Sequence, residues 1–300
     1  MTKAEYEVVI LGAGPAGLQA AIHVARAKVS VLVLGREYKS SIARAHVENY
    51  CCLASVTGEE LLKEGRIQAE KSGADFLTED VIETSPEERW FAIRLESGRE
   101  LKTRSLVLAM GVSRNRLGLP NEKELLGRGV SYCVDCDAGF YRGERVAVVG
   151  GESAAVSGAM TLLFYADEVH LVSEQVMVTE TLASQVRQSA ITLHEGRRVK
   201  EILGQNQVEG LMLDDGSRLD VAGVFIELGA KGAIELASAL GVALDSETMK
   251  FIVTDKKQAT NAPGVYAAGD ICGPPWQVAK AVGEGCVAGL EAAKWAKKFR

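Results

Sequence analysis

The chain opens on a short apolar run, residues 6–11, that ends in the turn Gly12-Ala13-Gly14-Pro15-Ala16-Gly17. Apolar positions then recur at helical spacing to about residue 27, and a second apolar run covers 29–34. The pattern predicts strand, glycine turn, helix, strand. The same order returns further on. Residues 146–149 are apolar, Gly150-Gly151 makes a turn, 154–165 reads as helix, and 168–172 as strand.

Each half also closes in the same way. A turn at Gly98 leads to the apolar run Leu106-Val107-Leu108-Ala109-Met110-Gly111, and a turn at Gly216 leads to Val224-Phe225-Ile226-Glu227-Leu228-Gly229. Thirteen residues separate turn from terminal glycine in both halves, which predicts a hairpin followed by a buried strand and argues for an internal duplication. The tail, with an apolar strand ending at Gly269-Asp270 and an amphipathic stretch over 277–299, has no glycine fingerprint of its own. It is expected to return and complete the first domain. The expected fold class is α/β, with two Rossmann-like (three-layer ββα) nucleotide-binding domains. The second is inserted into the first: 1–117 with 233–300, and 118–232.

The first glycine turn sits in the context that a dinucleotide fingerprint requires. Gly12 permits the tight turn, Gly14 lets the backbone approach a pyrophosphate, and Gly17 allows close helix–strand contact. A helix N-terminus favours the anion, and Glu37, just past the second strand, is placed to accept from a ribose.

Composition narrows the partners. With 47% hydrophobic and 25% charged residues the chain reads as an ordinary globular protein. A net charge of -6, with its longest basic cluster at residues 297–300, lacks the footprint of nucleic-acid binding. No apolar run approaches membrane-spanning length and the first residues lack a secretory core, so a soluble, cytoplasmic protein with no membrane or nucleic-acid partner is expected. Of six cysteines, only Cys133-Val134-Asp135-Cys136 has redox or metal spacing. With no second pair or His partners at similar spacing, redox is the reading and no metal site is expected.

Taken together, the motifs resemble those of the low-molecular-weight thioredoxin reductase family over nearly the whole chain. GAGPAG at Gly12 looks like its FAD pyrophosphate loop, and Val47-Glu48-Asn49-Tyr50 like the segment whose Asn lies near the flavin. Leu117-Gly118-Leu119-Pro120 resembles the first crossover between domains. Residues 133–142 resemble the redox segment CxxCDGFFYR, with Ala138 added and one aromatic missing. PGVYAAGD, ending at Asp270, looks like the second FAD motif. The resemblance implies FAD as cofactor, held by Gly12, Gly14, Pro15, Ala16, Gly17, Glu37, Ser41, Asn49, Gly111, Gly269, Asp270, Gln277 and Val278. It also implies a redox-active pair, with Cys136 on the flavin side and Cys133 exchanging with an external disulfide, and Asp137 moving a proton. Thioredoxin or a similar small redox protein is the implied acceptor, and a homodimer the implied assembly. Domain rotation about crossovers near 113–116 and 230–233 would give the pair access to both partners.

The second glycine turn departs from the family. In Gly150-Gly151-Glu152-Ser153-Ala154-Ala155, Glu152 stands where NADPH-dependent members keep the close-approach glycine. The following strand ends at Val172-Ser173-Glu174-Gln175 where they carry a His-Arg-Arg cluster, and no Arg or Lys occurs between Asp167 and Ser184. Residues 40–50 also depart from the family's glycine-rich GGQL loop. The expected function is therefore a flavin disulfide reductase whose donor is not NADPH, with ferredoxin favoured. Glu174 as an NADH ribose ligand, conventional NAD(P)H use, a dithiol oxidase and a non-enzymatic flavin sensor are the alternatives. Cys51-Cys52 is expected to be a pair of buried small hydrophobes rather than a redox pair. Cys272 and Cys286 are read as packing residues, His23 as structural, and Trp276 as either a core residue or a cover or docking surface at the flavin.

Overall fold

The computed structural model describes residues 4–112, 116–229 and 232–300. The two expected crossovers fall largely on 113–115 and 230–231, outside the described residues. Contacts divide the chain into two units: Met1–Leu95 with Arg99–Ser113 and Gly232–Arg300, and Glu96–Gly98 with Arg114–Lys231.

In chain order the first unit holds β1 (Glu5–Leu11), α1 (Pro15–Arg26), β2 (Val31–Leu34), β3 (His46–Val47), β4 (Val56–Thr57) and α2 (Gly58–Ser72). β5 (Asp75–Leu77), β6 (Val81–Pro86), β7 (Phe91–Leu95) and β8 (Glu100–Leu108) follow. The second unit holds β9 (Val130–Ser131), α3 (Val134–Asp137), β10 (Arg145–Val149), α4 (Ser153–Leu162), β11 (Glu168–Ser173) and α5 (Glu180–Gln188). It continues with β12 (Thr192–Glu195), β13 (Val199–Leu203), β14 (Gly210–Leu213), β15 (Arg218–Leu219) and β16 (Gly223–Ile226). α6 (Ala233–Ala239), β17 (Val265–Ala267) and α7 (Val278–Ala296) return to the first unit.

The duplication read from the turns is visible in the sheets. In the first unit the parallel order is β5-β2-β1-β8-β17, with the antiparallel β6 and β7 joined to the early half of β8. In the second the parallel order is β12-β11-β10-β16-β9, with β13-β14-β15 as the antiparallel layer. Gly98 and Gly216 hold the two hairpin turns at φ +82° and +83°, where an L side chain is disfavoured. One difference separates the halves. β8 runs unbroken from hairpin to core, whereas β15 and β16 are separate strands.

The inner parallel strands β2, β10, β11 and β16 are buried on both faces along nearly their whole length, which is why their sequence runs apolar instead of alternating. In the first unit α1 and α7 cover one face through small residues. A side chain at Gly285 or Gly289 would collide with the Ala16 or Ala20 carbonyl, so the helices meet backbone to backbone. The second unit wraps its sheet with α4 and α5 on one face, around Val148, Ala159, Leu171 and Leu182, and the β13–β15 layer on the other. α4 stops at Leu162, earlier than the apolar pattern suggested, because the N–H groups of Phe164 and Tyr165 close tight turns onto Thr161 and Leu162. No described helix is long and apolar enough to cross a membrane.

Candidate functional site

The glycine turn of the first unit is built as a cradle. Gly12 adopts φ +112°, and a Cβ there would strike the Ala109 carbonyl, so β1 and β8 approach as closely as backbone permits. A Cβ at Gly17 would strike Gly12 O, which fixes α1 against the turn. Gly14 is the N-cap of α1 in extended conformation (φ −82°, ψ −177°), with Pro15 next and no acidic residue in the first turn. Among the described residues, the only neighbour a side chain at Gly14 would meet within 4 Å is Ser40 Oγ, at 3.3 Å. The cradle therefore leaves room at a helix end whose first N–H groups lack intrahelical partners, and that suits a pyrophosphate.

The second motif folds onto the first from far along the chain. Gly269 (φ +88°) lies so that its Cβ would sit 3.0 Å from Ala16 Cβ. Lys280 and Glu284 of α7 hold this turn: Lys280 Nζ donates to the carbonyls of Gly269 (2.8 Å) and Gly273 (2.6 Å). Glu284 accepts from Gly269 N–H at 2.8 Å. Neither residue was singled out from sequence, although their i,i+4 spacing just beyond the Gly-Asp turn was a usable signal. Burial pushes the Asp270 carboxyl above its ordinary range, with the Lys280 ammonium pulling the other way.

The remaining predicted residues gather around these two turns. Glu37 lies in a 3-10 turn after β2 and is held by Arg66 of α2, which also bonds Glu70. A carboxylate so held keeps acceptor sites for a ribose hydroxyl. Asn49 donates to Gln277 Oε1 at 2.8 Å, joining the loop before β4 to the N-cap of α7. Val278, the first residue of α7, packs with Leu18, Ile42, Val47 and Leu62. Ser41 is exposed on the segment before β3, and Gly111 (φ +68°) closes the run after β8. His23, on α1, meets Gln19 at 2.8 Å, and burial lowers its pKa, which fits a structural role.

One expectation about this unit needs correction, and of the two readings of Trp276 one is excluded. Cys51 and Cys52 are not buried hydrophobes: both thiols are exposed, because they occupy the centre of a surface turn. Trp276 is 61% exposed and is no core residue. Cys272 is mostly buried, and that burial pushes its thiol up to about 12, consistent with packing.

The second unit carries the disulfide. Cys133 and Cys136 are bonded across the single turn of α3, with Cys133 as N-cap accepting Cys136 N–H at 3.2 Å. Cys133 is buried and Cys136 exposed. Two side chains missed from sequence hold this turn. Ser131 Oγ donates to Asp137 Oδ2 at 2.6 Å and accepts from Cys133 N–H at 3.0 Å. Glu227, just beyond β16, accepts from Val134 N–H at 3.0 Å. Burial and the Asp137 charge together raise the Tyr141 hydroxyl. Phe140, next to it, is 82% exposed.

The second glycine turn repeats the first with different chemistry. Gly150 (φ +149°) abuts the Glu227 carbonyl as Gly12 abuts that of Ala109. Glu152 is the N-cap of α4 in the same extended conformation as Gly14 (φ −106°, ψ −174°), and Ala155 takes the place of Gly17. Glu152 thus puts a carboxylate at the helix N-cap where the first unit has Gly14. Arg198 pairs with Glu174 at 2.8 Å, and Arg197 donates its backbone N–H to Ser173 O. The sequence window after β11 shows no cation, but the chain between β12 and β13 supplies two in space. Arg197 is itself paired with Asp215 at 3.1 Å.

The chain is 33% identical to thioredoxin reductase of Listeria innocua, over 98% of this chain and 95% of that one. It resembles the solved structure of the atypical thioredoxin reductase TRi from Desulfovibrio vulgaris Hildenborough, with TM-score 0.84, 36% identity and 98% of both chains covered. A ferredoxin-flavin thioredoxin reductase from Clostridium acetobutylicum is also similar, with TM-score 0.67, 31% identity and 98% coverage of both chains. The model of the pyridine nucleotide-disulphide oxidoreductase family matches residues 6–285. With that match, a cradle shaped for a pyrophosphate and two Rossmann-like units, the chain belongs to this family as a flavoprotein oxidoreductase whose cofactor is FAD.

Proposed function

We propose that this enzyme is a flavin-dependent disulfide reductase that passes electrons through Cys136 and Cys133 to thioredoxin or a thioredoxin-like protein. The proposed donor is not NADPH, and reduced ferredoxin is favoured. Gly12, Gly14 and Gly17 would hold the FAD pyrophosphate, Glu37 and Asp270 its hydroxyls, and Asn49, Gln277 and the N-terminus of α7 its ring. Bound there, FAD supplies a two-electron reservoir.

The disulfide geometry supports the division of labour. Cys136 is the exposed member, open to attack from outside its own unit. Breaking the bond there leaves the electron pair on Cys133 Sγ, where the Cys136 N–H already donates. A thiolate so stabilised forms more readily and can attack a protein disulfide, and Cys136 then resolves the mixed disulfide. Cys133 is buried in this conformation, so the exchange step requires α3 to open its first turn. Asp137, oriented by Ser131, is placed to take or return the thiol proton. Phe140 offers an apolar contact beside the pair for a protein partner.

One observation carries the choice of donor: Glu152 caps α4 with a backbone matching that of Gly14. A side chain and a negative charge there oppose a pyrophosphate where the helix N-terminus would otherwise favour it. Similarity to the Clostridium ferredoxin-flavin enzyme points the same way. Conventional nicotinamide use is the second reading, favoured by Arg197 and Arg198 beside the end of β11. The Cys136→Ser variant tests the electron route. It is expected to keep FAD and lose disulfide reduction; retained turnover would refute the route.

A further inference from the structure

Cys51 and Cys52 are adjacent, exposed and outside the electron route described above. They fill the two central positions of a tight turn closed by the bond from Leu53 N–H to Tyr50 O at 3.1 Å. Cys52 adopts φ +71°, a conformation that glycine or asparagine normally supplies at the third position of such a turn. The backbone so held brings the two sulfurs to 3.6 Å. A disulfide needs about 2.0 Å, so side-chain rotation and a small turn adjustment would close the gap.

From this juxtaposition of two accessible thiols we infer that Cys51-Cys52 is a second dithiol/disulfide couple, exchanging with small-molecule or protein disulfides at the surface of the first unit. The thiolate of one cysteine attacks an external disulfide, forming a mixed disulfide and releasing one thiolate. The neighbouring thiolate attacks the mixed disulfide, forming the Cys51–Cys52 bond and releasing the second. Two electrons leave the pair, the external disulfide becomes two thiols, and the two cysteine protons go to them. Adjacent Cα atoms lie about 3.8 Å apart, below the usual span of about 4.4–6.8 Å for bridged cysteines. The closed form is therefore strained and easily reduced, which suits a labile couple and not a structural staple. The turn begins one residue after Asn49, whose amide meets Gln277 at α7, so closing the ring acts on a loop already tied to that helix N-terminus.

The inference is independent of the donor and of the route through Cys136. FAD-loaded wild type and a Cys51→Ser, Cys52→Ser double variant are oxidised with diamide, desalted and titrated anaerobically with dithionite. Peptide mass analysis follows each. Trypsin releases both cysteines in one peptide, residues 45–63, which contains no other cysteine. The expected result is about two more electrons taken up per FAD by the wild type than by the variant. Peptide 45–63 should refuse alkylation until it is reduced, and reduction should open it before Cys133–Cys136. Equal electron uptake, with the peptide carrying two alkyl groups or cross-linked to another chain, would overturn the inference.

Discussion

The carboxylate of Glu227 accepts a hydrogen bond from Val134 N–H at 3.0 Å, tying the end of the inner strand β16 to the first turn of the disulfide helix. It places a negative charge one residue from Cys133 and so opposes the thiolate that must form there. Glu227→Gln keeps an acceptor and removes the charge. A charge at a helix end is worth about 0.3–1 kcal/mol. The pair's reduction potential should therefore rise by about 10–20 mV, read by titration against glutathione buffers. Glu227→Ala should also lower stability by about 1 kcal/mol, seen in urea unfolding.

Asp137 is held by the Ser131 hydroxyl at 2.6 Å. If it moves the proton during exchange, Asp137→Asn should slow disulfide reduction by about 100-fold while leaving the flavin spectrum unchanged. Ser131→Ala should act in the same direction but less, because the carboxylate stays and only its orientation is lost. Steady-state turnover with thioredoxin reads both.

A Cβ at Gly12 or Gly17 has nowhere to go except into the carbonyl of Ala109 or of Gly12 itself. Gly17→Ala should be recovered with little bound flavin, measured as flavin absorbance per protein. The matching place in the second unit already carries Ala155, so the control is Ala155→Ser, which should leave flavin content untouched.

Asp270 tests the pH linkage. Burial raises its carboxyl above the ordinary 3.8, so the folded apoprotein binds the proton more tightly than the unfolded chain does. For an acid with a raised folded value, stability falls as pH rises from the unfolded value through the folded one. Asp270→Asn should therefore make the apoprotein more stable than wild type at neutral pH, with the gain disappearing below about pH 4. FAD affinity should fall about tenfold with loss of the charged acceptor. Thermal unfolding across pH and flavin titration check the two halves of this prediction.

Glu152→Gly would restore the close-approach position of the second turn. If the carboxylate is what disfavours a nicotinamide pyrophosphate, flavin reduction by NADPH should accelerate about tenfold, equivalent to ~1.4 kcal/mol. Stopped-flow absorbance measures it. An unchanged rate would move the barrier to the Ser173–Gln175 region.

The sequence was most legible where local rules coincide with the fold. The glycine turn at Gly12, the twin hairpins at Gly98 and Gly216 and the Cys-x-x-Cys pair all depend on residues close together in the chain. What escaped was assembled through space. Ser131 and Glu227 reach the disulfide from strands at different sheet positions, and Lys280 reaches back from α7 to the Gly269 turn. Arg197 and Arg198 arrive from a neighbouring strand end, where a window centred on β11 had no reason to look. Cys51 and Cys52 misled because cysteine is usually buried. The backbone at Cys52, with φ +71°, and the exposure of both thiols show that the pair sits in a turn on the surface.

Anaerobic flavin absorbance of the FAD-loaded enzyme, mixed separately with NADPH, NADH and reduced ferredoxin and then with oxidised thioredoxin, tests the electron donor and acceptor together. Ferredoxin should bleach the flavin rapidly and either nicotinamide slowly or not at all, and the electrons should be recovered as thioredoxin thiols. Rapid bleaching by NADPH, with thioredoxin reduced at the same pace, would contradict the proposed donor and make Glu152 compatible with conventional nicotinamide use.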